Sequence, residues 1–203
     1  MAEKMDRRKA RTKQQLQRAL LALLTEKGAD TITVTEVAER ADVNRGTFYL
    51  HYKDVADMLQ QMKDEVLQHL SACVEQLDLT EAMLFADKEE PYPPMMRVFE
   101  KIAEHSEFLR LMLGPGGDLS FAIRLRELMT KRMYHNLEIS APEKHLIPLD
   151  FWAAYQTSAN FGVILHWIEG GMALPPEQMA KIMIRAINYG PLVTIGIRQA
   201  PKG

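Results

Sequence analysis

The sequence predicts an all-α protein in two parts, a three-helix head over residues 1–53 and a helical body over residues 54–203. Three observations carry this prediction. Apolar residues recur at three- and four-residue spacing along most of the chain, and no sustained alternation of β-branched residues reads as a strand. Helix start and stop residues punctuate that pattern at short intervals. Charge divides the chain as well: residues 1–53 hold eleven Lys or Arg against seven Asp or Glu, a balance of +4 within a net charge of −2. A basic head on an acidic body favours a nucleic-acid partner at one end, and a solvated charged helix would give the same count.

Taken in order, residues 1–15 are polar, with Arg7, Arg8, Lys9, Arg11 and Lys13 close together. They form either a disordered arm or the exposed start of the first helix. Leu16, Ala19, Leu20, Leu23 and Leu24 supply that helix with its apolar stripe, and Gly28 is its expected stop. Thr33 followed by Glu36 reads as a capping box that opens a second helix. Val34, Val37, Ala38 and Ala41 are the stripe of that helix. Asp42 falls at the turn, where a short polar side chain tolerates a left-handed backbone. Asn44 caps a third helix running through Arg45, Gly46, Thr47, Phe48, Tyr49, Leu50 and His51. Two helices joined by so tight a turn form a helix-turn-helix, whose second helix can enter a DNA major groove by its N-terminal residues.

The body begins at Lys53-Asp54 with a helix of roughly twenty residues, carried by Val55, Met58, Leu59, Met62, Val66, Leu67, Leu70 and Val74. Residues 78–94, acidic and holding Pro91, Pro93 and Pro94, read as a loop. A helix follows from Pro94 to about His105, with proline at its permitted first turn. Ser106 is expected to cap a short helix through Leu113, and Gly114-Pro115-Gly116-Gly117 breaks the chain again. A further helix covers Leu119 to about Leu137, and Pro142 to Pro148 connect it to the next. From Phe151 to Ile168 there is no Asp, Glu, Lys or Arg, and apolar residues occur all round. Gln156, Thr157, Ser158, Asn160 and His166 interrupt that run, which argues for a helix buried on several faces and against a membrane span. The last helix starts near Pro176 and is interrupted at Gly190-Pro191. Ala154, Ser158 and Gly162 lie four apart and leave a smooth strip for close approach of another helix. With Met183 and Ile187 they are the candidate dimer residues, since a symmetric homodimer is the usual partner for such a surface.

Residues 33–52 resemble the N-terminal DNA-binding domain of the TetR family of transcriptional regulators. The matching residues are Thr33-Val34, Val37-Ala38, Ala41, Val43, Arg45-Gly46-Thr47-Phe48-Tyr49, His51-Tyr52 and, in the following helix, Leu59. The match covers about residues 16–62. Two positions depart from the family pattern: Asp42 stands where Gly is common in the turn, and Val55 where Lys is common at the start of the fourth helix. The resemblance implies a homodimer on a double-stranded DNA operator. Thr33, Thr47, Tyr49 and His51 are candidate phosphate donors, and Gly46 would let the backbone approach closely. Arg45 reaches base edges or phosphate, bidentate guanine recognition being the commonest specific use of Arg. Leu50 can meet a thymine methyl, Asn44 and Lys53 complete the candidate set, and Phe48 belongs to the core. The resemblance also implies a small-molecule effector in the body, for which Met95, Met96, Phe99, Phe108, Met112, Trp152 and His166 are candidate lining residues.

Catalytic signatures are lacking. Gly114, Gly116 and Gly117 lack the Lys-Ser/Thr ending of a phosphate loop, and the six histidines show no metal-ligand spacing. No Gly-x-Ser-x-Gly or His-Glu-x-x-His occurs, so neither enzyme activity, metal nor cofactor is expected. Cys73, the single cysteine, is expected as a small buried hydrophobe and excludes an internal disulfide. With no signal-peptide pattern, the expected compartment is the cytoplasm. The sequence thus reads as a ligand-responsive repressor on a palindromic operator. The alternative is a regulator of the same build without a small-molecule ligand, acting through a protein partner.

Overall fold

The computed structural model describes residues 2–27, 31–140 and 147–199, with side chains described outside 2–6 and 136–140. Gly28 and most of the Pro142–Pro148 connection therefore lie outside the described residues. Among those described, ten α-helices and no strand are present, so the protein is all-α as its periodicity requires. The chain forms two compact units, residues 1–66 and 67–203.

The first unit contains α1 (Ala2–Lys27), α2 (Val34–Arg40), α3 (Arg45–Tyr49) and the first part of α4 (Val55–Val74). The basic run of residues 7–13 is the exposed start of α1, because the helix already begins at Ala2. The predicted stripe of α1 is buried at Leu16, Ala19, Leu20, Leu23 and Leu24, and it meets Val37, Ala38, Phe48 and Met58 in a small closed core. The unit extends through Val66, so this compact unit takes in the first part of α4. Packing explains this. Met58, Met62 and Val66 are buried, and Glu65 binds Lys13 and the Gln17 amide of α1.

The second unit holds the rest of α4 with α5 (Leu79–Asp87), α6 (Pro93–Glu104), α7 (Ser106–Leu113), α8 (Leu119–Ser140), α9 (Leu149–Glu169) and α10 (Pro176–Thr194). Helix α6 packs on α10, and α8 on α9. The largest departure from the sequence reading is α5, which occupies ground assigned to a loop. The Asp78 carboxylate accepts the Glu81 N–H at 2.8 Å as its N-cap, and Ala82 and Ala86 are buried. The Tyr92 hydroxyl accepts the Asp78 N–H and donates to Glu81. The prolines that signalled a loop follow this helix and open α6. Ser106 does not cap α7; His105 holds that position without a side-chain bond, and Ser106 is a buried first residue. Cys73 is half-buried, because it sits beside the buried stripe of α4 and not on it. Gly190 interrupts α10 with φ 72° and ψ 175°, a left-handed conformation at the residue before Pro191.

Candidate nucleic-acid interface and interior cavity

The helix-turn-helix is built as its sequence dictates. The Thr33 hydroxyl accepts the Glu36 N–H at 3.3 Å and the Glu36 carboxylate accepts the Thr33 N–H at 2.9 Å, closing the capping box. Lys27 also binds Glu36, and this contact, ahead of those with Thr33, pulls the Glu36 pKa down to about 2. Arg40 donates from Nη1 and Nη2 to the two carboxylate oxygens of Glu26, each at 2.8 Å, tying α2 to α1. Helix α2 ends in a Schellman motif. The Asp42 N–H bonds the Glu39 carbonyl and the Val43 N–H bonds the Ala38 carbonyl, with Asp42 left-handed at φ 53°. Asn44 Oδ1 then accepts the Gly46 N–H at 2.8 Å and starts α3.

Helix α3 has one buried side chain, Phe48, which packs edge-on to Tyr49 at 5.7 Å and against Tyr52. Anchoring Phe48 inward turns its neighbours outward. Tyr49 is 54% exposed and Leu50 79% exposed, so both side chains are open to a partner. Arg45, Gly46, Asn44 and Lys53 are exposed on the same short segment, and Thr47 and His51 are half-buried. A Cβ on Gly46 would meet only Asn44 Oδ1, at an ordinary 3.5 Å. The protein's own packing therefore does not demand glycine there.

A basic groove adjoins this surface. Arg7, Lys9, Ala10 and Lys13 of α1 line it together with Leu50, His51, Tyr52 and Gln61. Burial, followed by the positive charge of Lys9 and Lys13, holds the His51 pKa below its ordinary value. Two candidate contacts are already engaged. The Thr33 hydroxyl also donates to Glu36 at 2.8 Å, and Asn44 Oδ1 is committed to its cap, which leaves the Asn44 amide N–H2 for a phosphate. The basic run from Arg7 to Lys13, which the sequence offers equally as a source of DNA contacts or as a solvated run, borders α3 at Arg7, Lys9 and Lys13, and the structure adds Gln61, whose proximity to α3 is a matter of tertiary packing.

The second unit is hollow. A cavity of about 90 Å³ is walled by residues from α4 to α10, among them Leu70, Tyr92, Met95, Phe99, Met129, Met133, Thr157, Asn160, Ile184 and Ile187. Of the predicted lining residues only Met95 and Phe99 reach it. Phe108 packs edge-on to Phe121 at 5.6 Å, and Met112 shares that buried face of α7. Met96 and Trp152 are half-buried off the wall, and His166 is exposed, four residues beyond Gly162 on the outer face of α9. Met183 and Ile187, expected on a twin-subunit face, line the cavity. They continue the inward stripe of Met179, Ala180 and Ile184. Ala154, Ser158 and Gly162 are exposed as one strip, flanked by Phe151 at 69% and Tyr155 at 57% exposure. Thr157 and Asn160 were visible only as interruptions in an apolar run. Their spacing of three places both on the inner face of α9. Among the described residues no helix is long and apolar enough to cross a membrane.

Known proteins bear on this architecture at both ends. The family described as "Bacterial regulatory proteins, tetR family" matches residues 16–62, and "Transcriptional regulator C-terminal region" matches residues 89–189. An uncharacterised HTH-type transcriptional regulator, YxbF of Bacillus subtilis (strain 168), is 27% identical over 174 residues, covering 82% of this chain. The match takes in 42% of that relative, so the chain spans less than half the length of the curated protein it resembles. Among solved structures, a TetR transcriptional regulator from Streptococcus agalactiae 2603V superposes with a TM-score of 0.58 at 22% identity, covering 92% of this chain and 99% of its own. FadR from Bacillus subtilis, solved with stearoyl-CoA, gives 0.56 at 12% identity, with 88% and 98% covered. At such identities these structures speak for the fold alone. With a capped helix-turn-helix in the head, an all-helical body and a family match to each, the chain belongs to the TetR family of bacterial transcriptional regulators.

Proposed function

We propose that this regulator works in the cytoplasm as a homodimer that binds an approximately palindromic operator and represses transcription until a small molecule enters the body. The observation that carries the DNA reading is the outer face of α3, where Tyr49 and Leu50 stand exposed beside Arg45 while Phe48 alone holds the helix down. Arg45 would take base edges or phosphate, and Leu50 a thymine methyl. Tyr49, Thr47, His51, Thr33, the Asn44 amide and Lys53 would hold phosphates and set register. Lys9 borders the same groove and adds to the electrostatic attraction, and Lys13 beside it is paired with Glu65.

The homodimer reading is supported by the exposed strip of Ala154, Ser158 and Gly162, flanked by Phe151 and Tyr155. Effector response is supported by the cavity in the second unit. FadR, of the same fold, was solved with stearoyl-CoA. The effector acts only through its differential affinity for DNA-competent and DNA-incompetent states. The test is selection of bound sequences from a random duplex pool by the purified chain. Enrichment of a two-fold repeated half-site, with affinity falling steeply as salt rises, is the expected outcome. A pool that stays random, or binding indifferent to salt, would remove the DNA reading of α3.

A further inference from the structure

The cavity walls specify a chemical class of ligand. Resting on the effector reading of this cavity, we infer that its ligand is a compact, uncharged, mainly apolar molecule carrying one hydrogen-bond acceptor, which the Asn160 amide binds. The walls are overwhelmingly hydrocarbon, contributed by Leu, Ile, Val, Phe and Met side chains. The polar residues among them are almost all engaged. Asp78 caps α5 through its carboxylate, and Arg132 directs Nε and Nη2 to the Leu77 carbonyl. The Tyr92 hydroxyl is bonded to Asp78 and Glu81, and the Thr157 and Thr130 hydroxyls lie 3.3 Å apart.

Asn160 differs. It is 7% exposed, and its Oδ1 accepts the Gln156 amide at 3.0 Å. Its own N–H2 has no partner among the described residues. That donor faces a cavity with apolar walls, where a ligand acceptor can take it in place of water. The one cation among the described wall residues, Arg132, has Nε and Nη2 held by the Leu77 carbonyl, so an anionic ligand would give up its hydration for the single remaining nitrogen, Nη1. The volume of about 90 Å³ limits size; Met95, Met129, Met133 and Met183 can adjust to admit on the order of six to twelve non-hydrogen atoms.

The experiment titrates the purified full-length chain with three probes of matched size: acetophenone, ethylbenzene and benzoate. Calorimetry measures affinity, and fluorescence anisotropy on the selected operator measures DNA release. Acetophenone is expected to bind about tenfold more tightly than ethylbenzene, the worth of one buried hydrogen bond, and benzoate not at all. Asn160→Leu should bring acetophenone down to the ethylbenzene level. If that variant does not fold, the double change Gln156→Leu/Asn160→Leu removes both partners of the buried bond and serves instead. Met183→Trp should fill the cavity and abolish binding of both neutral probes. The inference is overturned if neither neutral probe binds, if the ketone advantage survives loss of Asn160, or if benzoate binds and Arg132→Leu abolishes it. Asn160-dependent ketone binding that leaves operator affinity unchanged would uphold the ligand chemistry and sink the effector reading. Operator release by benzoate would do the reverse.

Discussion

Gly46 in the head and Gly162 in the body invite comparison, because neither is required by the chain that contains it. Both lie within helices, where glycine costs about 0.5–1 kcal/mol relative to alanine. A Cβ at Gly162 would meet nothing within 4 Å, and one at Gly46 only the Asn44 side chain at 3.5 Å. Gly114 and Gly117 show the contrast, since a Cβ there would fall 2.6 and 2.4 Å from backbone carbonyl oxygens. Those two are glycine for the fold. Gly46 and Gly162 are bare toward the outside, each beside exposed aromatic or aliphatic groups: Tyr49 and Leu50 in one case, Tyr155 in the other. In our reading a DNA backbone covers the first and a second copy of the chain the second. The head therefore keeps its chemistry on the surface over a closed core, and the body keeps a cavity inside an outward strip.

Mutations can break that division at either side. The largest effect is expected from Phe48→Ala, which empties a fully buried site in a small core. A loss of about 3–5 kcal/mol should unfold the head and abolish operator binding, read by hydrogen exchange across residues 16–62. Retained protection there would mean that Phe48 does not hold α3. Next is Ser158→Arg, which places the new cation twice near a two-fold axis. Dimer association should weaken by about 2 kcal/mol or more in sedimentation equilibrium, with the monomer's helical content unchanged because Ser158 is exposed. A dimer of unaltered affinity would move the interface off this strip.

Arg45→Ala should lower operator affinity by about 1–3 kcal/mol while unfolding temperature and oligomeric state stay at wild-type values. Wild-type affinity would exclude Arg45 from the contact. Gly46→Ala sharpens the comparison most directly: stability should rise by up to about 1 kcal/mol, yet operator binding should fall on the order of tenfold through crowding of the backbone. If both rise together, Gly46 is not a point of close approach. The smallest effect concerns His51, whose pKa burial and Lys9 and Lys13 depress in the free protein. A phosphate beside it would raise that pKa. The resulting gain in affinity is fully present below the depressed free-state pKa and is lost as pH rises through the raised value in the complex. Binding should therefore tighten modestly on acidification, and His51→Gln should flatten the profile. An identical profile in that variant would place His51 away from phosphate.

Much of the head was legible in the chain because its determinants are local. Thr33 and Glu36 are three residues apart, Asn44 is two from the N–H it caps, and Asp42 carries its own tolerance of the left-handed turn. The body was read less fully. Prolines 91, 93 and 94 hid α5, whose cap is local, from Asp78 to Glu81, but whose tie to Tyr92 reaches across more than ten residues. That Met183 and Ile187 line the cavity was not legible, because period alone says that a face is apolar, not what covers it.

The sequence by itself determined the all-α class, the helix-turn-helix, the outward set on α3 and the small-residue strip on α9, since capping, periodicity and side-chain size act over a few residues. Tertiary structure alone decided that Lys9 and Lys13 border α3, that Glu65 draws α4 into the head, and that Met183, Thr157 and Asn160 surround one cavity. Those outcomes depend on which helices meet and at what register. Long-range packing sets that, and no single helix encodes it.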